Sequence, residues 1–419
     1  MADAPDTWDL IVTGAGPAGL FCAIQASKGG KRILVLEKGR SPGRKLLITG
    51  SGQCNLTHKG DILEFFSHYG DNGSFLKAAL RNFTNRHLID FFGERGCPTM
   101  SEPDGKIFPL SRKASDILGV LLSECGRRGV TIRSGEAVTS IRRTGEGFHV
   151  TTDLATFRTR ALVLSTGGAS YPMTGSSGDG YRFARSLGQP VSEIAPALTP
   201  VYIRDYQFGE LSGRSFRGVP VSIVRGGKQM RQTSGDVLLT HHGLSGPCVL
   251  DLSRYIREGD TLRVGFLSGM DAEAVKRTLI DAAAKSGARQ AGSVLRDLNL
   301  PVRLARKLLE LAGLPVDVSC AQLTRSSRNT ISGFVTGYRF EVGHLGGFDE
   351  AMVTRGGVIL DGINPKTMES RLVPDLYFIG EVLDIDGDTG GYNLQAAFST
   401  AASAADHLVR AKWTGIGSG

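Results

Sequence analysis

The segment that most restricts what this chain can become is Asp9-Leu-Ile-Val-Thr13 followed by Gly14-Ala-Gly16-Pro-Ala-Gly19. An apolar strand runs into G-x-G-x-x-G, Leu20–Ala26 continues as a helix, and Arg32–Leu36 forms a second strand that ends at Glu37. Each part has a physical task. Gly14 permits a tight turn, Gly16 lets the backbone approach a pyrophosphate, and Gly19 allows close helix–strand packing. The helix start, with Pro17 and Ala18, turns N–H groups and positive dipole toward phosphate oxygens. Glu37 lies 18 residues beyond Gly19, where a carboxylate can accept hydrogen bonds from an adenosine ribose, with Lys38 beside it. The unit reads as a dinucleotide site.

The motif alone admits NAD, NADP or FAD. Its early position, and glycine clusters that recur far downstream, favour FAD held as a bound prosthetic group. The chain has 56 glycines among 419 residues, about twice the usual share. They sit between apolar strands rather than in a repeat, which fits close backbone approach to a ligand. No second G-x-G-x-x-G marks a separate nicotinamide domain, so NAD(P)H is expected only as a transient electron donor.

A chain of this length suits two or three domains. The expected fold class is α/β: a Rossmann-like FAD-binding domain split into 1–190 and 352–419, a β-barrel-like, β-rich substrate domain over 191–268 and 330–351, and a small helical cap over 269–329. Ser111 is expected to cap a helix over 112–128. Gly333–Phe340 reads as a strand, Leu376–Ile379 as a buried strand, and Gln395–Leu408 as a final helix. The tail Thr414–Gly419 is expected to fray.

Net charge is +8, with no run of five like charges. A scattered basic surface makes nucleic acid an improbable partner and leaves a small-molecule substrate. The six cysteines show neither C-x-x-C nor zinc spacing, so no metal is expected and a reducing compartment is. The first eight residues lack the basic and apolar regions of a leader, and no apolar run reaches the ~18 residues of a membrane span. A cytoplasmic protein is expected; the oligomeric state is open.

Three further segments carry a family resemblance: Gly43-Arg-Lys-Leu-Leu-Ile-Thr-Gly-Ser-Gly-Gln-Cys-Asn55, Leu239-Thr-His-His-Gly-Leu-Ser-Gly-Pro247, and Gly356-Gly-Val through Asn364–Ser370 to Gly380-Glu-Val-Leu-Asp-Ile-Asp-Gly-Asp-Thr-Gly-Gly-Tyr-Asn-Leu-Gln395. Together they resemble the BaiN/YhiN-like bacterial flavoproteins, NAD(P)/FAD-dependent oxidoreductases whose FAD domain is likewise split. Gln53 stands where that family commonly has arginine. Asp388 and Ala396 mark a region where it tends to have an aromatic residue.

The resemblance implies an extended FAD, its adenosine on the first βα unit and its flavin under the later loops. Arg44 and Lys45 would neutralise phosphate or flank adenine. Ser51, Gly52, Cys54 and Asn55 would approach the isoalloxazine. Ala137 and Val138 would offer backbone groups to adenine, and Thr166, Gly167 and Gly168 would end a strand beside the cofactor. Glu381, after Gly380, would hold ribityl hydroxyls. The helix opened by Gly391, Tyr392, Asn393, Leu394 and Gln395 would stabilise negative charge at the flavin N1/O2 edge. His241, rather than Tyr171 or Tyr392, is the candidate proton donor. The function so implied is reduction of an unsaturated or carbonyl-containing small molecule. An FAD-dependent tRNA modifier and a redox sensor without turnover are the alternatives.

Overall fold

The structure, a computed structural model, describes residues 6–411; the tail expected to fray lies outside them. The chain divides into two compact units, Met1–Pro196 with Ala351–Gly419, and Ala197–Glu350.

The first unit is built on a seven-stranded sheet. Its order is Thr131–Ser134, Ile33–Glu37, Asp6–Thr13, Thr156–Leu164, Gly147–Thr152 and Val138–Thr144, and Leu376–Phe378 also pairs with Thr156–Leu164. The strands before the cofactor-type motifs run parallel: Val12 pairs with Val35 and Val163, and Leu162 with Leu376. Leu10, Ile11 and Val12 are fully buried, as are Leu34 and Val35, so these strands are apolar on both faces. Pro17–Ala26 and Tyr392–Arg410 pack on the sheet around Phe21, whose ring meets Phe91 at 5.0 Å and Phe398 at 5.2 Å. Parallel pairing carries Gly14, Ser165 and Ile379 to corresponding ends of adjacent strands. That alignment gathers ligand loops from distant parts of the chain.

The second unit holds a ring of six antiparallel strands: Val201–Ile203, Gly243–Ser245, Lys228–Leu239, Ser215–Arg225, Thr261–Val264 and Tyr338–Leu345. The last pairs back with the first through Val201–Leu345 and Tyr202–His344. Inside lie Phe208, Phe216 and Phe340, each at most 6% exposed. Helices Ala272–Lys285, Ala291–Asp297, Val302–Leu311 and Arg325–Gly337 share this core. The helical stretch thus runs past its expected end.

Two local expectations are corrected. Gly333–Gly337 is helical, and the strand begins at Tyr338. Thr324 caps that helix by accepting from Ser327 N–H, and Ile331 and Val335 are buried at helical spacing, which overrides the β preference of Phe-Val-Thr. Ser111 caps nothing. The helix runs Ala114–Arg127 from Lys113, because Arg112 sits in the left-handed region at φ 57° and breaks the turn.

That helix carries a charged cluster. The Glu124 carboxylate accepts from Arg127 Nε and Nη2, both at 2.8 Å, with Arg95 Nε at 3.2 Å and Arg128 Nε at 3.5 Å. Hydrogen bonds from Arg127 and Arg95, reinforced by their charge, outweigh burial and pull its carboxyl down to about 2. A carboxyl lowered on folding contributes stability above its ordinary value near ~4.3, and the contribution is lost as pH falls toward the folded value. The urea midpoint is therefore expected to drop between about pH 5 and about pH 2, less steeply in Glu124→Gln. Equal slopes in the two proteins would refute this assignment.

Among the described residues no helix is long and apolar enough to cross a membrane, and no cluster of His, Cys, Asp and Glu could hold a metal ion.

Candidate flavin-binding site

The turn after the first strand is set by backbone packed on both sides. Gly14 has φ 97°, its N–H donates to Leu36 O at 2.7 Å, and a Cβ there would lie 2.6 Å from Ser165 O. Ser165 Oγ donates to Thr13 O at 2.8 Å and Gly14 O at 3.0 Å, tying the end of the neighbouring strand to the turn. Gly16 differs. Its φ of −77° is open to any residue, and a Cβ there would meet nothing within 4 Å. The helix that follows has Pro17 at its start and no side-chain cap. Open space at Gly16 beside an uncapped helix start is the cradle a pyrophosphate needs. The Thr166 hydroxyl on the next strand end is buried against Gly180 without a hydrogen-bond partner.

Around this turn the adenosine-side candidates are partly engaged. Glu37 Oε2 accepts from Ala15 N–H at 2.9 Å and Oε1 from Gly39 N–H at 2.7 Å, which fixes the carboxylate and leaves lone pairs over. Lys38 pairs with Asp179 at 2.5 Å and with the Ser177 hydroxyl, and Arg44 donates to Met173 O at 2.7 Å. Both cations thus hold the 172–179 loop. Ala137 does not offer its N–H to adenine: that group donates to Asp153 Oδ1 at 3.0 Å, and its carbonyl accepts from Asp153 N–H. Val138 begins the edge strand of the sheet, opposite Thr152.

The Gly43–Asn55 segment is moored to the same turn, since Gly43 N–H donates to Ala15 O at 2.9 Å. It forms a short helix, Arg44–Ile48, then a tight turn in which Ser51 and Cys54 adopt φ 56° and 59°. Gly52 lies in that turn, and Gln53 accepts from Arg112. Burial pushes the Cys54 thiol up to about 12, and all six cysteines are unpaired and buried, which suits packing rather than thiol chemistry. The Asn55 amide, turned to satisfy its neighbours, donates to Thr57 O and accepts from Gly391 N–H at 3.1 Å.

The C-terminal segments close the crevice. Ile379 N–H donates to Leu164 O, and a Cβ on Gly380 would lie 3.1 Å from that of Ala18. Lys45 Nζ reaches Glu381 at 2.7 Å and the Ser170 hydroxyl at 2.6 Å. Glu381 Oε1 also accepts from Ser170 Oγ and Thr354 N–H, both at 3.0 Å. Gly168 lies against this group, and Gly167 turns beside it with φ 72°. Glu381 is therefore a clasp between three loops as well as a candidate ligand.

The helix Tyr392–Arg410 starts from Gly391 (φ 96°) without a side-chain cap. Its side chains are occupied. The Asn393 amide closes the 387–388 turn, and Gln395 is fully buried, accepting from Thr57 Oγ1 and donating to Phe83 O and Ser399 Oγ. These two, expected at the flavin, have only backbone to give it; Leu394 is half-buried. His241 and His242 stand exposed on the turn before Gly243–Ser245 in the second unit, ring centroids 6.3 Å apart.

Residues that sequence reasoning missed are His58, His68, Ser170 and Thr354. Each is a common residue type, and its partner lies far along the chain: His68 with Asp388, Ser170 with Glu381. No local spacing could have marked them.

The HI0933-like protein Rossmann domain family matches residues 8–407. The chain belongs to that family. It is similar to the ribosomal RNA dihydrouridine synthase of Escherichia coli (strain K12), 34% identical over 97% of this chain and 99% of that one. It is also similar to the 3-dehydro-bile acid delta(4,6)-reductase of Clostridium scindens, 30% identical over 93% and 96%. The 3-ketosteroid delta1-dehydrogenase structure from Sterolibacterium denitrificans shares the fold, with TM-score 0.51 and 13% identity over 97% of this chain and all of that one. This HI0933-like chain is an FAD-dependent oxidoreductase with a Rossmann-type nucleotide fold.

Proposed function

We propose that this HI0933-like protein reduces a carbon–carbon double bond conjugated to a carbonyl, taking electrons from NAD(P)H. Bound FAD would supply hydride transfer. The observation that carries the reading is that the Gly14–Gly19, Gly43–Asn55, Thr166–Gly168 and Gly380–Gln395 segments meet one another in the first unit. There Gly14, Gly16 and the following helix start would bind the pyrophosphate, and Glu37 the ribose. Lys45, kept in place by Glu381, would hold positive charge at the cofactor. The uncapped Tyr392 helix start would favour negative charge arriving with a hydride.

The activities named for both relatives support the reaction class, since dihydrouridine formation and delta(4,6) reduction each saturate a double bond conjugated to a carbonyl. The six-stranded ring of the second unit would serve as a β-barrel substrate domain, and the helices between Ala272 and Gly337 as its cap. His241 would donate the proton; His241→Asn should slow reoxidation by substrate about 10²-fold or more.

RNA is a second reading of the substrate. The 34% identity to a ribosomal RNA enzyme favours it, and so do 20 Lys and Arg against 15 Asp and Glu in residues 197–350. Anaerobic protein reconstituted with FAD is expected to bleach with NADH or NADPH and to recover colour with a conjugated enone or a uridine-containing RNA. Protein that takes up no FAD, or whose flavin neither nicotinamide reduces, would overturn the proposal. Recovery with RNA alone, and binding that weakens steeply with salt, would select the second reading.

A further inference from the structure

The second unit carries a cavity of its own, beside an irregularity in its ring of strands. Tyr202 pairs with His344 but Ile203 pairs with Val342, so Gly343 is the extra residue of a β-bulge. On the paired rung the Tyr202 and His344 rings stack, with centroids 4.5 Å apart and planes 7° from parallel. The segment before Thr261 is tied beside the bulge, since Gly259 N–H donates to Val342 O at 3.0 Å and Val342 N–H to Asp260 O at 2.8 Å. That brings Glu258 to the rim. From the other side comes His242, whose carbonyl accepts from Ile203 N–H at 3.1 Å. Tyr202, Arg204, His242, Glu258 and His344 are among the residues around a cavity of about 520 Å³. Small-ligand sites are commonly ~300–1,000 Å³.

The lining selects the occupant. Arg204 Nη1 lies 2.5 Å from Glu341 Oε1, and Nη2 is 3.9 Å from Glu258 Oε1. The Tyr202 hydroxyl donates to Glu350 Oε1 at 2.7 Å. Three carboxylates against one guanidinium leave no excess of positive charge for an anionic ligand, even with charge on both histidines. What the cavity offers is a flat aromatic surface, an acceptor in Glu258 and N–H groups on Arg204 beyond the one given to Glu341. His344 is exposed, so a third flat ring can extend the stack. A fused-ring enone has no N–H for Glu258. A nucleobase has donors and acceptors along one edge and two π faces, and protein aromatics hold single bases by stacking.

We propose that this cavity in the second unit binds one nucleobase, stacked on the Tyr202–His344 pair and met along its edge by Glu258 and Arg204. The inference rests on the function proposed above, in which the electron donor and one candidate substrate both carry nucleobases. It gives Tyr202 and His344 a binding role separate from the flavin residues and from His241.

The test is titration calorimetry on the full-length, FAD-loaded chain. One arm uses a short single-stranded RNA; the other uses NAD⁺ and NADP⁺, which do not reduce the flavin. Binding is expected in at least one arm, and the arm that binds identifies the source of the base. Tyr202→Ala should weaken that binding about 5- to 150-fold, the loss of one stacked base. Tyr202→Phe keeps the ring and should bind as wild type does, while Glu258→Ala, at an exposed position, should lose about tenfold. No binding in either arm, or equal binding by wild type and a folded Tyr202→Ala, would overturn the proposal. Glu258→Ala decides if Tyr202→Ala does not fold. Protein that takes up no FAD would defeat the flavin reading, and the same titrations on it still decide this inference. Flavin bleached by NADH or NADPH, in a protein whose Tyr202→Ala variant binds every probe unchanged, would defeat only this inference.

Discussion

Replacing Gly16 by alanine is expected to leave the protein as stable as before and to weaken FAD binding roughly 5- to 150-fold, equivalent to ~1–3 kcal/mol of obstruction. The two effects separate because the added methyl group would meet no protein atom within 4 Å and the backbone there, φ −77° and ψ 178°, suits any residue. The methyl enters only the space in which a pyrophosphate would rest. Gly14→Ala provides the contrast. Its Cβ would lie 2.6 Å from Ser165 O at a φ of 97°, so loss of stability is expected together with loss of cofactor. Urea unfolding and fluorescence titration with FAD on the two variants read both quantities. Gly16→Ala protein that binds FAD as tightly as wild type would remove the pyrophosphate from this turn.

The second large effect is expected at Glu381. Its carboxylate receives Lys45, the Ser170 hydroxyl and the Thr354 N–H, with about a fifth of each ion-pair side chain exposed. Glu381→Ala strands a half-buried ammonium and the Thr354 N–H, while the Ser170 hydroxyl keeps Met352 O at 3.3 Å. The expected loss is about 2–3 kcal/mol, below the range for fully buried pairs because water still reaches the group. Lys45→Met combined with Glu381→Leu should regain much of that stability, since it removes both charges, while still binding FAD poorly. A double-mutant cycle on the urea midpoint measures the coupling. Additive single changes would mean that the two residues act independently and that the clasp contributes little.

Much of the nucleotide-binding half was legible because its signals are local. Val12, Gly14, Gly19 and Glu37 lie within one βα unit, where turn, helix start and second strand each demand a residue type at fixed spacing. Ser111 and Gly333–Gly337 were misread for the opposite reason. A cap depends on the actual backbone at Arg112, and Phe-Val-Thr took helical form only because Ile331 and Val335 found a core. At Gln395 the expectation concerned the backbone of the helix start, and the side-chain amide goes to the interior. Here Thr57, Phe83 and Ser399 claim it.

What the amino-acid order determined by itself is the chemistry of the first turn and the apolar strands that carry it, because those rules act between near neighbours. Only tertiary structure decided which groups remain available to a ligand. It joined Lys45 to Glu381, set Asp153 on Ala137, stacked His58 and His68 on Tyr392, and left Gly16 open. Apart from the local Asp153–Ala137 contact, the pairings join residues hundreds of positions apart, which the folding of distant segments onto one sheet creates and no local spacing encodes.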